Sequence, residues 1–473
     1  MATVNDNSRF TKYSTLLDQT ETIRSQGIVK AIKGLIIESQ GPICQIGEVC
    51  ELFLPDRKTV RLEVIGFSEN RVQLTPLENA AGITPGCKIF STGRPLEIMV
   101  GDELKGRILN GIGKPLDHAS LNFFKQKLSV FNLSPDLLRR KQITEKMVLG
   151  IKAIDGPLTV AKGQRLGIFS GSGVGKSTLL SMIARNSEAG INVIALVGER
   201  GREVRDFIEK TLGPEGMKRS IIVVATSDQP PMARIRCAYT AISIAEYFRD
   251  KGNDVIFMMD SITRLAMAQR EISISLGETP TARGYSPSVF DLLPKILERA
   301  GTSAAGTITG FFNVLVEGDD MDEPISDAVR GILDGHIVLS RKMAARNYYP
   351  AIDICQSISR LMTDVCEQEH LNIAAKLKEL ISSYQEMEDL INIGAYISGS
   401  NNRVDEAIKK MPRIESFLQQ KIDEKIPLAE TMKMMQNLFP AEKQAGRLNT
   451  NMAASASGEE QGKLKSLQTQ TPG

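Results

Sequence analysis

A glycine-rich loop constrains this chain more than any other feature. Ser170-Gly171-Ser172-Gly173-Val174-Gly175-Lys176-Ser177-Thr178 follows the apolar run Leu166-Gly167-Ile168-Phe169 and precedes a helical pattern from Leu179 to Ala184. Strand, glycine loop, Lys-Ser and helix is the order of a phosphate-binding P-loop. Glycines let the backbone curl until successive N–H groups point at phosphate oxygens, and the helix N-terminus adds its positive dipole. Lys176 supplies a point charge for the β- and γ-phosphates, and the Ser177 hydroxyl can ligate Mg²⁺. Ser170 stands where the pattern has its first glycine; serine is small enough to keep the turn. The cofactor-binding stretch is therefore Gly171 to Thr178.

Two apolar runs beyond the loop turn nucleotide binding into a case for hydrolysis. Ile191 to Val197 ends in Gly198-Glu199-Arg200-Gly201. In a parallel sheet the carboxyl end of a strand beside the P-loop strand opens into the nucleotide crevice. A carboxylate there, Glu199, can orient the attacking water, while Arg200 can touch the γ-phosphate. Taken alone, Glu199 reads as a solvated loop carboxylate. Val255-Ile256-Phe257-Met258-Met259-Asp260 has the Walker B form, in which Asp260 holds the Mg²⁺ shell, in part through water. Each signal gains from the other two, because all three stand in the order that the chemistry needs.

At this point the chain resembles the flagellum-specific ATP synthases (flagellar protein-export ATPases) and the type III secretion ATPases, both similar to rotary ATP synthase catalytic subunits. The likeness runs from about Gly27 to about Phe439. It is carried by Gly198 to Val204, Asp260-Ser261-Ile262-Thr263-Arg264, Ala282 to Phe290, Val316 to Ile325, Tyr349-Pro350-Ala351-Ile352-Asp353 and Ser357-Ile358-Ser359-Arg360. The resemblance implies ATP and Mg²⁺ as cofactors, with Lys176 and Ser177 on phosphate and metal and Glu199 activating water. It implies that Arg200 contacts the γ-phosphate, that Tyr349 stacks on adenine, and that Arg360 is an arginine finger reaching the neighbouring subunit's site. It further implies a homohexameric ring. The expected partners are an export regulator or stator, a central stalk, export substrates with their chaperones, and a membrane export gate. Ser91 to Leu96 and Asn347 to Ile354 lean towards the flagellar branch; the virulence-type injectisome ATPase is the alternative.

The pattern along the chain predicts an α/β fold: a P-loop, RecA-like, mostly parallel sheet core with a small N-terminal β-barrel and a C-terminal helical domain. Residues 1–26 carry Phe10, Tyr13, Leu16 and Leu17 at helical spacing, a short amphipathic segment; the resemblance implies that it binds a partner, with packing on the chain's own barrel as the alternative. Residues 27–96 read as the barrel: Val60, Leu62 and Val64 alternate with Arg61 and Glu63, and Val72 and Leu74 with polar neighbours. Residues 97–142 read as a linker draped on the next domain. Residues 143–364 alternate strands and helices, which makes a sheet covered on both faces. Residues 365–439 turn helical, with Leu371, Ala374, Leu377, Ile381 and Tyr384 in one stripe. Residues 440–473 are rich in Ala, Ser, Gly, Gln, Thr and Lys, the composition of a disordered tail.

Composition removes competing classes. A net charge of +2, from 58 basic and 56 acidic residues, gives no footprint for nucleic acid, which argues against a nucleic-acid-translocating hexamer. Glu199 argues against a non-catalytic, nucleotide-holding ring subunit. Six scattered cysteines read as reduced thiols in a cytosolic protein, and three dispersed histidines are too few for a metal cluster. No run approaches membrane-spanning length, so any membrane association is expected through a partner or a surface; the resemblance implies attachment to the inner face of the cell membrane through the export apparatus. Arg264, Arg283 and Arg330 can each serve phosphate or pair with the acid cluster Asp319, Asp320, Asp322 and Glu323.

Overall fold

The computed structural model describes residues 24–117, 126–316, 318 and 320–439. The stripe from Phe10 to Leu17 and the tail 440–473 lie outside the described residues.

Six strands, β1 (Gln26–Lys33), β2 (Ile36–Gln40), β3 (Glu48–Phe53), β4 (Thr59–Ser68), β5 (Arg71–Pro76) and β6 (Lys88–Pro95), close into a barrel in the order β1-β2-β5-β4-β3-β6. Closure leaves no unpaired sheet edge. Val60, Leu62, Val64, Val72 and Leu74 point into its core with Leu52 and Ile89, as period-2 alternation requires. Glu63, on the opposite face of β4, does not meet solvent: it is 2% exposed. Its carboxylate accepts from Arg236 Nε at 2.6 Å and also bonds the other end of the same guanidinium. Arg236 belongs to the helix Pro231–Asp250 and lies over the Phe131 and Tyr239 rings, 4.5 and 4.9 Å from their centroids. The barrel's outer face is thus docked on the core by a buried, fork-shaped ion pair.

The core sheet runs, edge to edge, through Ile352–Ser359, Gly335–Leu339, Arg165–Ser170, Thr307–Leu315, Asp254–Asp260, Ile191–Val197, Ser220–Ala225 and Ile108–Asn110. All neighbours on this path are parallel except the first pair, so the edge strand Ile352–Ser359 returns antiparallel. Every residue of Ile191–Val197 and of Ser220–Ala225 is buried, the mark of a sheet covered on both sides. Val193 and Ala195 join a core with Ile242 and Leu265 on one face. Ile194 and Leu196 join another with Leu180 and Ile183.

Two expectations change. The Ile191–Val197 strand does not lie beside the P-loop strand: Thr307–Leu315 and Asp254–Asp260 stand between them. Parallel topology, not sequence order, sets adjacency, and all these strands open at the same carboxyl edge. The linker is more than a draped strap. Its Ile108–Asn110 is the sheet's edge strand, and Glu97–Val100 pairs with Gln126–Ser129. Three residues are too short to show a period, and Leu104, Leu109, Ile112 and Val130 are buried in the same core as Val193.

Three helices follow, Gln368–Asn392, Asn402–Leu418 and Leu428–Leu438. Ala374, Leu377 and Ile381 of the stripe are buried, with Leu371 and Tyr384 half-buried. Leu377 and Ile381, with Tyr384 against them, pack with Ile414, Phe417 and Met435 on the face that also carries the P-loop helix. Among the described residues no helix is long and apolar enough to cross a membrane.

Candidate active site

The strand Arg165–Ser170 ends in the glycine loop, and Gly175 caps the helix Lys176–Asn186. Gly173 and Gly175 have φ of 78° and 94°, the left-handed region that favours glycine. A Cβ on Gly175 would also meet the Tyr349 ring at 3.2 Å. Buried Val174 anchors the loop, whereas Ser172, Gly173 and Ser177 are exposed. No side chain caps the helix, so its first-turn N–H groups remain oriented for an anion. The loop floors a cleft of about 720 Å³.

Glu199 and Asp260 reach that cleft from two different strand ends, each 5% exposed. Lys176 Nζ lies 2.8 Å from Asp260 Oδ1 and 3.9 Å from Glu199 Oε1. Asn313 Nδ2 donates to the same Asp260 oxygen at 2.7 Å, and Arg264 Nε donates to Glu199 Oε1 at 3.2 Å. Gly198, with φ of 69°, admits the Arg264 stem: a Cβ there would sit 3.0 Å from Arg264 Cδ. Burial, and then the Asp260 charge, raise the Glu199 carboxyl above its ordinary pKa, while Lys176 and Arg264 pull the other way. A carboxylate so placed has the raised proton affinity that suits orienting water.

Ser177 on the first turn and Asp260 offer the hard oxygen donors that Mg²⁺ takes alongside phosphate and water. Ser170 Oγ and Asn313 Oδ1, both buried near this end of the sheet, have no hydrogen-bond partner among the described residues.

Arg200 lines the cleft but stands exposed, its guanidinium 3.4 Å from Glu203. Tyr349 is 37% exposed and faces an adjoining cavity of about 810 Å³ that shares Gly173, Gly175 and Thr178 with the loop. Residues that sequence reasoning missed form its far wall: Gln420 and Ile422, beyond the second C-terminal helix. Gln420 ties this wall down, its N–H donating to Tyr349 O at 3.1 Å and its side chain to Gly150 O at 2.8 Å. Nothing local marks these residues as part of a site. Asn313, a polar side chain inside an apolar strand, was a readable signal, as was Arg341, close behind the strand Gly335–Leu339 and lining the cleft.

Arg360 is not brought to this cleft. Its N–H donates to Asp334 O at 3.1 Å, and Asp334 N donates to Arg165 O at 2.9 Å. That places it at the amino end of the P-loop strand, across the sheet from the loop. Of the arginines with two possible roles, Arg283 pairs with Asp320 at 2.8 Å and Arg330 with Asp327 at 3.0 Å and Asp322 at 3.6 Å. Arg264 instead lines the cleft and holds Glu199. Glu317 and Asp319 lie outside the described residues.

Family models match all three parts of the chain. These are the ATP synthase alpha/beta family beta-barrel domain at residues 29–93, the nucleotide-binding domain of the same family at 150–359, and the T3SS EscN ATPase C-terminal domain at 366–437. The flagellum-specific ATP synthase of Bacillus subtilis is 52% identical over 424 residues, covering 89% of this chain and 97% of its own. The type 3 secretion system ATPase of Xanthomonas euvesicatoria is 44% identical, covering 87% and 93%. Among solved structures, the assembled ATPase EscN of the enteropathogenic E. coli type III secretion system matches with a TM-score of 0.81. Its identity is 43%, covering 87% of this chain and 99% of that one. Barrel, P-loop core and helical C-terminus each match, and in the same order: the chain belongs to the flagellar and type III secretion ATPase family.

Proposed function

We propose that this chain is a Mg²⁺-dependent ATPase which, as a homohexameric ring, energises protein export through a flagellar type III apparatus. The observation that carries the reading is the meeting of Lys176, Glu199 and Asp260 within one cleft at the carboxyl edge of the sheet. In the ATP-bound state Lys176 leaves Asp260 for the β- and γ-phosphates, and the loop N–H groups hold the polyphosphate. Glu199, kept in place by Arg264, orients water for in-line attack, and Arg200 meets the γ-phosphate. Ser177 and, through water, Asp260 would hold Mg²⁺, which would supply neutralisation of the polyphosphate charge. Tyr349 and Ile422 enclose the adenine.

Arg360 acts in the neighbouring subunit's site, a reading supported by its place at the amino end of the P-loop strand, away from its own loop. The solved relative EscN is described as assembled, and in complex with its central stalk EscO; that likeness supports a ring and a stalk for this chain. The further partners are an export regulator or stator, export substrates with chaperones, and the membrane gate, with the chain cytoplasmic and peripheral to the membrane. The flagellar reading is favoured over the injectisome by two flagellar relatives at 52% and 49% identity, against 44% for the Xanthomonas euvesicatoria type 3 secretion system ATPase, while other flagellar relatives stand at 42%.

Two substitutions test the roles. Lys176→Ala should weaken both nucleotide binding and turnover. Glu199→Gln should keep ATP binding while turnover collapses, because it removes only the group that orients water. Equal loss of nucleotide affinity in both would make Glu199 a structural residue and leave hydrolysis without its water-orienting group.

A further inference from the structure

The short helix Arg341–Ala345 separates two cavities. Arg341 lines the nucleotide cleft. Lys342, in that helix, and Arg346, the residue that caps its C-terminus, line instead a cavity of about 430 Å³ between the core and the C-terminal helices. There both hold one carboxylate, Glu388 of the helix Gln368–Asn392. Lys342 Nζ lies 2.6 Å from its Oε2, and Arg346 NH1 lies 2.8 Å from its Oε1. Glu388 is 8% exposed, and the wall beside it is apolar, with Ile352, Ile381 and Ile414. The Lys342 hydrogen bond, with Arg346 behind it, holds its carboxyl below the usual range.

A carboxylate whose two oxygens are taken by a cation inside this helix and another at its C-cap ties the pose of the helix to the helical domain. Arg341 precedes Lys342 by one residue, roughly 100° around the helix axis, so the clamp bears on the pose of the turn that carries Arg341 to the cleft. Glu388 itself lines only the second cavity.

We propose that Arg341 contacts the polyphosphate of bound ATP and that Glu388, from the helical domain, is a positioning residue that aims it. The proposal rests on the reading of the cleft as the ATP site. It also makes the nucleotide site sensitive to the pose of the C-terminal helices, because one partner of the clamp lies on each side of the domain seam.

The test is steady-state ATP hydrolysis by the full chain, together with titration of a fluorescent ATP analogue. Arg341→Gln should weaken analogue binding about tenfold, the order expected for one charge-assisted hydrogen bond. Glu388→Gln should raise KM several-fold, by more than any fall in kcat. In the Arg341→Gln background it should add little, since both changes remove one interaction. Full additivity of the two changes, or unaltered nucleotide affinity in a folded Glu388→Gln protein, would overturn the proposal. Should Glu388→Gln not fold, the triple change Lys342→Met, Arg346→Met, Glu388→Met removes the cluster without leaving a buried charge and supports the same comparison. Lys176→Ala in the same titration separates the two levels: unaltered binding there would refute the ATP-site reading itself.

Discussion

Replacing Arg360 with alanine tests both the ring and the chemistry. Within its own subunit Arg360 is tied through Asp334 to Arg165, the first residue of the P-loop strand. At about 3.3 Å per residue, the strand puts roughly 17 Å between that point and Ser170, and the loop lies beyond. No arginine side chain spans that distance. The side chain's hydrogen bond at home is long, 3.4 Å to Arg330 O, so its removal should leave the fold intact. Across a ring interface the same guanidinium would neutralise charge in the transition state. Its loss should then cost on the order of 10³–10⁵ in kcat, about 4–7 kcal/mol of barrier. The assay mixes inactive Arg360→Ala rings with inactive Lys176→Ala rings under conditions of subunit exchange. An Arg360→Ala subunit keeps a working P-loop and borrows the finger of its neighbour, so with random equal mixing about a quarter of head-to-tail interfaces become competent. Near-normal turnover by Arg360→Ala in a verified hexamer would end the assignment, and failure of mixed rings to recover any activity despite proven exchange would refute action in trans.

Tyr349→Ala should weaken ATP binding by about five- to 150-fold, the range of one base–aromatic stack; unchanged affinity in a nucleotide titration would place adenine elsewhere. Arg236→Ala should destabilise the protein by about 3–5 kcal/mol, because it strands the buried Glu63 carboxylate, read as a lower denaturant midpoint; a shift under about 1 kcal/mol would mean that water reaches that seam. Burial pushes the Asp155 carboxyl up from 3.8 to about 7, against backbone N–H bonds from Leu149, Gly150 and Ile151. The folded state therefore binds the proton more tightly than the unfolded chain, so this group's contribution to stability falls as pH rises from about 4 to about 7 and is constant above. Denaturation across that window in wild type and Asp155→Asn should show the falling component in the former alone.

The phosphate loop was legible because its chemistry is local. Glycines that permit positive φ, a lysine, a hydroxyl and a helix start must be contiguous to cradle a phosphate, so they are contiguous in sequence. Asp260 was legible for a similar reason, an acid ending an apolar strand. What each group touches was not. Lys176 and Asp260 are 84 residues apart and bond at 2.8 Å, a meeting set by which strands share a carboxyl edge. Order within the sheet, with two strands between those of Lys176 and Glu199, is decided by parallel crossovers that periodicity does not encode.

The same limit explains Glu63 and the cavity beside Tyr349. Alternation along β4 says that Glu63 faces away from the barrel core; only the docking of the Arg236 helix decides that this outward face is dry. Ile108–Asn110 is three residues long, and only the neighbouring strand makes it a strand. Gln420 and Ile422 meet Tyr349 because the C-terminal helices bury their apolar faces on the side of the sheet that carries the P-loop helix. An apolar stripe states that a face must be covered. The partner that covers it, and the charges carried into contact by that covering, are settled by packing over the whole chain.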